Sequence, residues 1–196
     1  MLRCGMSYRV QFYDGDYPRR QRAANAAGAI CYLEHHFNAG SPTGNYASVI
    51  VARNASIRSV QWGRIYARLC IDEFRDVNLK LGGDMGIVVG GYAGRGDINL
   101  RYTAMPAILV EPLFCSNPIH AAIIRSTDGQ RRLARIVAES IRQVFPNGGL
   151  VAFSIGHMGK DSVRQDRGAP VVGGGDEAEY ARAVLEIARD ILTEAR

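Results

Sequence analysis

Two histidines and two glutamates stand where they could together form a hydrolytic metal site. The apolar runs Ala29–His36 (AICYLEHH), Ala107–Glu111 (AILVE) and Leu150–His157 (LVAFSIGH) each end on a residue able to bind a metal or work beside one. Glu177 opens an amphipathic stretch near the C-terminus, with Glu179 two residues on. A catalytic zinc takes three nitrogen or oxygen ligands and keeps a fourth position open. A further carboxylate beside it can move protons. Taken singly, most of these residues have ordinary explanations. His157 sits in a glycine-flanked loop, and Glu177 and Glu179 suit the dipole of a first helical turn. His35 and His36 are adjacent, so on a strand they point to opposite faces and at most one can reach a crevice. His120 reads as a surface or packing residue. Glu111 is harder to dismiss, because a carboxylate directly after a buried run is costly unless solvated or paired.

Elements must bring these residues together. Tyr8–Tyr13, Ala29–His35, Ala47–Ala52, Ala107–Val110 and Leu150–Ile155 read as strands, the last two apolar but for Ser154, as in a sheet covered on both faces. Helices are expected over Arg19–Ala27, Ser59–Leu79 and Glu177–Thr193, and over Asn117–Phe145 with a break near Asp128-Gly129. Gly82–Gly96 reads as a loop enclosing a short strand at Ile87–Val89, and Met158–Gly175 as a polar, glycine-rich loop. Asn147-Gly148-Gly149 is the clearest linker. Strands alternating with helices predict an α/β fold with a mostly parallel central sheet flanked by helices. In such a sheet, ligands bind at the carboxyl ends of the strands.

The 196 residues are 47% hydrophobic, enough for one domain with its own core. No apolar stretch approaches the ~20 residues needed to span a bilayer. The N-terminal MLRCGMSYRVQFYDGD has no apolar signal region. The reading is therefore synthesis in the cytoplasm without membrane insertion. The net charge of +5, nearly all arginine, favours anionic partners. Its densest clusters, Arg19, Arg20, Arg22 and Arg131, Arg132, Arg135, are expected to be solvated helix faces. Cys4, Cys31, Cys70 and Cys115 show no paired spacing, so neither a disulfide framework nor a cysteine zinc site is expected.

Three segments resemble the zinc-dependent N-acetylmuramoyl-L-alanine amidases, wall hydrolases of bacteria and their phages. Ala24-Asn25-Ala26-Ala27-Gly28-Ala29 running into Glu34-His35-His36-Phe37-Asn38-Ala39 is similar to that family's "AN…AD.F.SIHANA", which aligns His36, not His35, with a ligand histidine. Met105–Asn117 (MPAILVEPLFCSN) resembles "MPAVLVE.GF.SN", whose glutamate is the catalytic carboxylate. Gly156–Asp161 (GHMGKD) with Gly168-Ala169 resembles "GHGG.D.GA", whose histidine is the first zinc ligand. The second ligand is a glutamate opening the next helix. The resemblance implies Zn2+ held by His36, His157 and Glu177, with Glu179 the alternative, and catalysis by Glu111. It implies a monomeric hydrolase of peptidoglycan that cleaves the amide between N-acetylmuramic acid and L-alanine. A phage-type endolysin acting at the cell wall fits best. Another amide substrate is the alternative, and a non-enzymatic basic binding module, including one for nucleic acid, is disfavoured. Two departures stand out. Met158 replaces a motif glycine, and Glu34-His35 replaces Ser-Ile. The GHGG-like unit also comes last instead of first, and moving Leu150–Arg196 ahead of Met1 restores the family order. A circular permutation is therefore expected, with residues 147–149 joining the ancestral termini and Arg196 lying near Met1–Tyr8.

Overall fold

A computed structural model describes residues 7–163 and 165–194. The chain runs β1 (Tyr8–Phe12), α1 (Tyr17–Ala26), β2 (Cys31–His35), β3 (Tyr46–Val51), α2 (Ile57–Glu73), β4 (Lys80–Leu81), β5 (Ile87–Val89), β6 (Ala107–Glu111), α3 (Pro118–Arg125), α4 (Thr127–Val144), β7 (Gly149–Ile155) and α5 (Glu177–Thr193). The strands form one sheet in the order β1-β7-β2-β6-β3-β4, with β5 also paired to β3. Every pairing is parallel except β3 with β6. The expected mostly parallel α/β sheet is therefore present, with one antiparallel junction.

Alternation along β2 divides the core. Cys31 and Leu33 join Val49, Ile108, Val110, Val151 and Phe153 beneath α2, α4 and α5, around the fully buried Trp62, Leu133 and Val184. Tyr32 faces the other way, with Ile50, Leu109, Ala152, Ala24 of α1 and Leu100. That second face is closed by α1 and by the segment 91–105. Polar side chains of α1 bind this segment: Gln21 donates to Ile98 O and accepts from Tyr102 N, both 2.8 Å, and Asn25 donates to Tyr102 O and accepts from Ala104 N, both 2.8 Å. No helix among the described residues is long and apolar enough to cross a membrane.

Several sequence expectations need correction. The helical stretch after Asn117 breaks at Ser126, not at Asp128-Gly129. Ser126 caps α4 by accepting from Gly129 N at 2.9 Å, so the glycine lies inside the helix. The long helix ends at Glu73 rather than Leu79, with Arg75–Val77 continuing as a short 3-10 turn. β7 begins at Gly149, one residue earlier than the expected strand start at Leu150. Arg20 does not lie on a solvated face. It is fully buried, donating to Gly15 O at 2.8 Å, to Ser154 Oγ at 2.6 Å and to Met158 O at 3.1 Å. Arg132 is also mostly buried, paired with Glu73 and Asp76 across to α2. Cys31, Cys70 and Cys115 are free and buried. Cys4 and the expected proximity of Arg196 to the N-terminal residues lie outside the described residues.

Candidate active site

The carboxyl ends of β2, β6 and β7 open into one cleft of about 890 Å3, lined among others by His36, Glu111, His157, Asp166 and Glu177. His36 follows β2 directly. His157 follows β7 in a left-handed conformation (φ 63°), a strained backbone for a non-glycine residue of the sort found at functional sites. Gly156 is required beside it, because a Cβ there would meet the His36 ring at 2.6 Å. Gly168 is required on the far side, where a Cβ would lie 2.5 Å from Glu177 Oε2 and 2.7 Å from the His157 ring. Glu177 is the first residue of α5, whose cap Asp176 accepts from Glu179 N at 2.9 Å. Glu179 is exposed and outside the cluster.

His36, His157 and Glu177 each offer a ligand atom, and these atoms lie within 4.8 Å of one another. Glu177 Oε1 is 2.9 Å from His36 Nδ1 and 3.2 Å from His157 Nε2. Zinc bonds of ~2.0–2.1 Å imply tetrahedral edges of roughly 3.3 Å, so the donors need little movement to close on an ion. Glu177 is further fixed by hydrogen bonds from Phe37 N to Oε1 (3.2 Å) and from Ala169 N to Oε2 (3.1 Å). On the outer side of His157, Nδ1 is 2.8 Å from Asp166 Oδ1, and Lys160 and Gly168 N also bind that carboxylate.

The charge balance fits a cation. Burial works against a charged His36, yet its bonds to Glu177 and Glu34 outweigh it and push the imidazole up to about 10. Burial works against a charged Glu177 too, but His157 and His36 hold it well below the usual carboxylate range. A proton on His36 thus occupies the place that a metal ion would take from it.

Glu111 ends β6. Burial raises its carboxyl above the ordinary value against the opposing pull of His36, a hydrogen bond from Ser48 and His157, with Glu177 adding to the rise. Ser48 Oγ donates to Glu111 Oε2 at 3.1 Å from the neighbouring antiparallel strand β3. His35 turns away into the helix-covered core, edge-on to Phe37 with centroids 5.0 Å apart. Neither of its ring nitrogens has a hydrogen-bond partner among the described residues, and burial lowers it to about 3. His120 is a packing residue: Nδ1 accepts from Phe114 N at 3.1 Å and Nε2 donates to Asn45 Oδ1 at 3.1 Å. Sequence reasoning gave no role to Ser48, Asp166 or Glu34. Alternation along β2 was the available signal for Glu34, since it places that carboxylate on the face shared with Tyr32.

A family model described as N-acetylmuramoyl-L-alanine amidase matches residues 8–143. The chain belongs to this amidase family. Solved structures of similar fold include the catalytic domain of CwlV, an N-acetylmuramoyl-L-alanine amidase from Bacillus (Paenibacillus) polymyxa var. colistinus. It is 25% identical with a TM-score of 0.50, over 67% of this chain and 66% of that one. The N-acetylmuramoyl-L-alanine amidase of Clostridium difficile 630 is 19% identical with a TM-score of 0.53, over 67% and 66%. AmiC2 of Nostoc punctiforme is 18% identical with a TM-score of 0.52, over 65% and 64%. The chain thus spans just under two thirds of these amidases. No curated protein matches the sequence.

Proposed function

We propose that this amidase-family chain is a zinc-dependent peptidoglycan hydrolase cleaving the amide between the lactyl group of N-acetylmuramic acid and L-alanine. The observation that carries the reading is the convergence of His36, His157 and Glu177 on one point, with Glu111 lining the same cleft. These three residues would hold the metal. Zinc supplies Lewis-acid polarisation of the scissile carbonyl and makes water a stronger acid. Glu111 takes a proton from the attacking water as its oxygen bonds to the carbonyl carbon. It then returns that proton to the alanine nitrogen as the carbon–nitrogen bond breaks. Ser48 holds Glu111 in place, and Asp166 orients His157 through its second nitrogen.

We place this chemistry in a phage-type lysin acting as a monomer at the cell wall, a setting that suits a chain of charge +5 drawn to anionic wall polymers. The chain order is read as a circular permutation. Support comes from the family match ending at residue 143 while His157 and Glu177 lie beyond it. The test incubates purified wall with the zinc-loaded and chelator-stripped protein. Free L-alanine amino ends and intact glycan strands, produced only with zinc, are expected. Glycan cleavage, or cuts confined to peptide–peptide bonds, would refute the assignment. Clearing of a wall suspension reads the lytic role.

A further inference from the structure

The metal-facing side of His36 accounts for only one of its two ring nitrogens. The other, Nε2, points away from Glu177 and lies 2.8 Å from Glu34 Oε1. Glu34 is fully buried on β2, between Leu109 of β6 and Ser154 of β7 in the sheet register. A carboxylate in such a place is costly unless its lone pairs are satisfied. Here Asn99 Nδ2 donates to Oε1 at 2.6 Å, Tyr32 OH donates to Oε2 at 3.2 Å, and the Arg20 guanidinium lies 3.7 Å from Oε2. Arg20 is itself fully buried and fixed by Gly15, Ser154 and Met158. Every group of this network comes from the α1 side of the sheet, the face opposite the large helical core. Packing alone would place an apolar residue at position 34, as at Leu109 beside it.

We infer that Glu34 is a positioning residue for the metal centre. Accepting the Nε2 proton of His36, it fixes the ring so that Nδ1 faces Glu177 and His157, and Asn99, Tyr32 and Arg20 lock Glu34 in turn. It does for His36 what Asp166 does for His157, so that both histidines of the cluster carry a carboxylate on the nitrogen turned away from the metal. Such outer carboxylates fix tautomer and orientation and increase ligand basicity, and losing one weakens metal binding about 10- to 100-fold. Asn99 also lines the cleft, so the same network ties the ligand ring to the wall formed by residues 91–105.

The inference rests on the metal-site reading above, and its test is a binding measurement rather than turnover. Zinc affinity is measured by competition with a chromophoric chelator for the wild-type chain, Glu34→Gln and Glu34→Ala. Thermal unfolding of the metal-free proteins runs in parallel. The expected result is about 10- to 100-fold weaker zinc binding, with alanine worse than glutamine because the amide oxygen still accepts from Nε2. The cobalt-substituted variants should show altered visible absorption, which a loss of stability alone would not produce. Should either variant fail to fold because Arg20 is left unpaired, the double variant Arg20→Met with Glu34→Gln removes both charges and is measured instead. Zinc affinity within twofold of wild type and an unchanged cobalt spectrum in a folded variant would overturn the inference. That result would leave the amidase reading untouched, since the latter is judged on the products released from wall.

Discussion

Glu111, the proposed proton carrier, stands in an electrostatically unfavourable place. Its folded-state carboxyl titrates above an ordinary glutamate because it is buried. A raised carboxyl means that the folded chain holds this proton more tightly than the unfolded chain. The linked stability is present at low pH and is lost as pH rises through the raised value, so ionised Glu111 is a net cost at neutral pH. Glu111→Gln should therefore lower amide hydrolysis by about 10²- to 10⁴-fold, the range of general-base catalysis. The metal-free variant should melt no lower than wild type at pH 7. Initial rates and melting curves check both parts, and a large drop in stability would contradict the burial argument. Ser48→Ala removes the hydrogen bond that favours the ionised form. Its acid limb of activity should therefore shift to higher pH than that of wild type at the same zinc loading. A pH–rate profile reads the direction.

The elements carry the site through their ends. α5 must start at Glu177, and Asp176 fixes that start as its cap. β7 must finish so that Gly156 can pass against the His36 ring. α4 supplies rigid support at a distance, with Leu133, Val137 and Ile141 in the core beneath the sheet. The cap of α4 is Ser126, so Ser126→Ala should cost about 1 kcal/mol of stability through the lost bond to Gly129 N. It should leave zinc affinity unchanged, because the Ser126 hydroxyl bonds to Ile123 O and Gly129 N and not to His36, His157 or Glu177. Urea denaturation and the chelator assay separate the two effects. Strand and helix identities were largely legible from apolar runs and period. The ends were less so: residues 126–129 offer a cap serine and a helix-breaking glycine side by side, and tertiary packing decides between them.

At the scale of the molecule, Tyr8 and Ile191 both bond to the C-terminal end of α4. Tyr8 OH donates to Phe145 O at 2.8 Å, and Arg142, one turn earlier, donates to Ile191 O at 2.5 Å. A chain that starts at Gly149 and joins residue 194 to Ser7 through a short flexible linker should thus keep the fold and the zinc affinity of the original. Circular dichroism and the chelator assay test it, and an unfolded or zinc-blind product would argue against the permuted reading. The sequence by itself specified the α/β sheet and a site set of His36, Glu111, His157 and a glutamate at 177 or 179, because local motifs and strand period are properties of neighbouring residues; alternation showed only that one of His35 and His36 could reach the cleft, and the motif resemblance chose His36. Only the tertiary structure decided that Glu177 rather than Glu179 joins the two histidines, since that depends on how α5 docks on the loop from Gly168. Only it showed Arg20 and Glu34 buried together and Ser48 set against Glu111. Those contacts join residues 14 and 63 positions apart, and the partners are chosen by the layering of α1 and the pairing of β3 with β6, which short-range pattern does not encode.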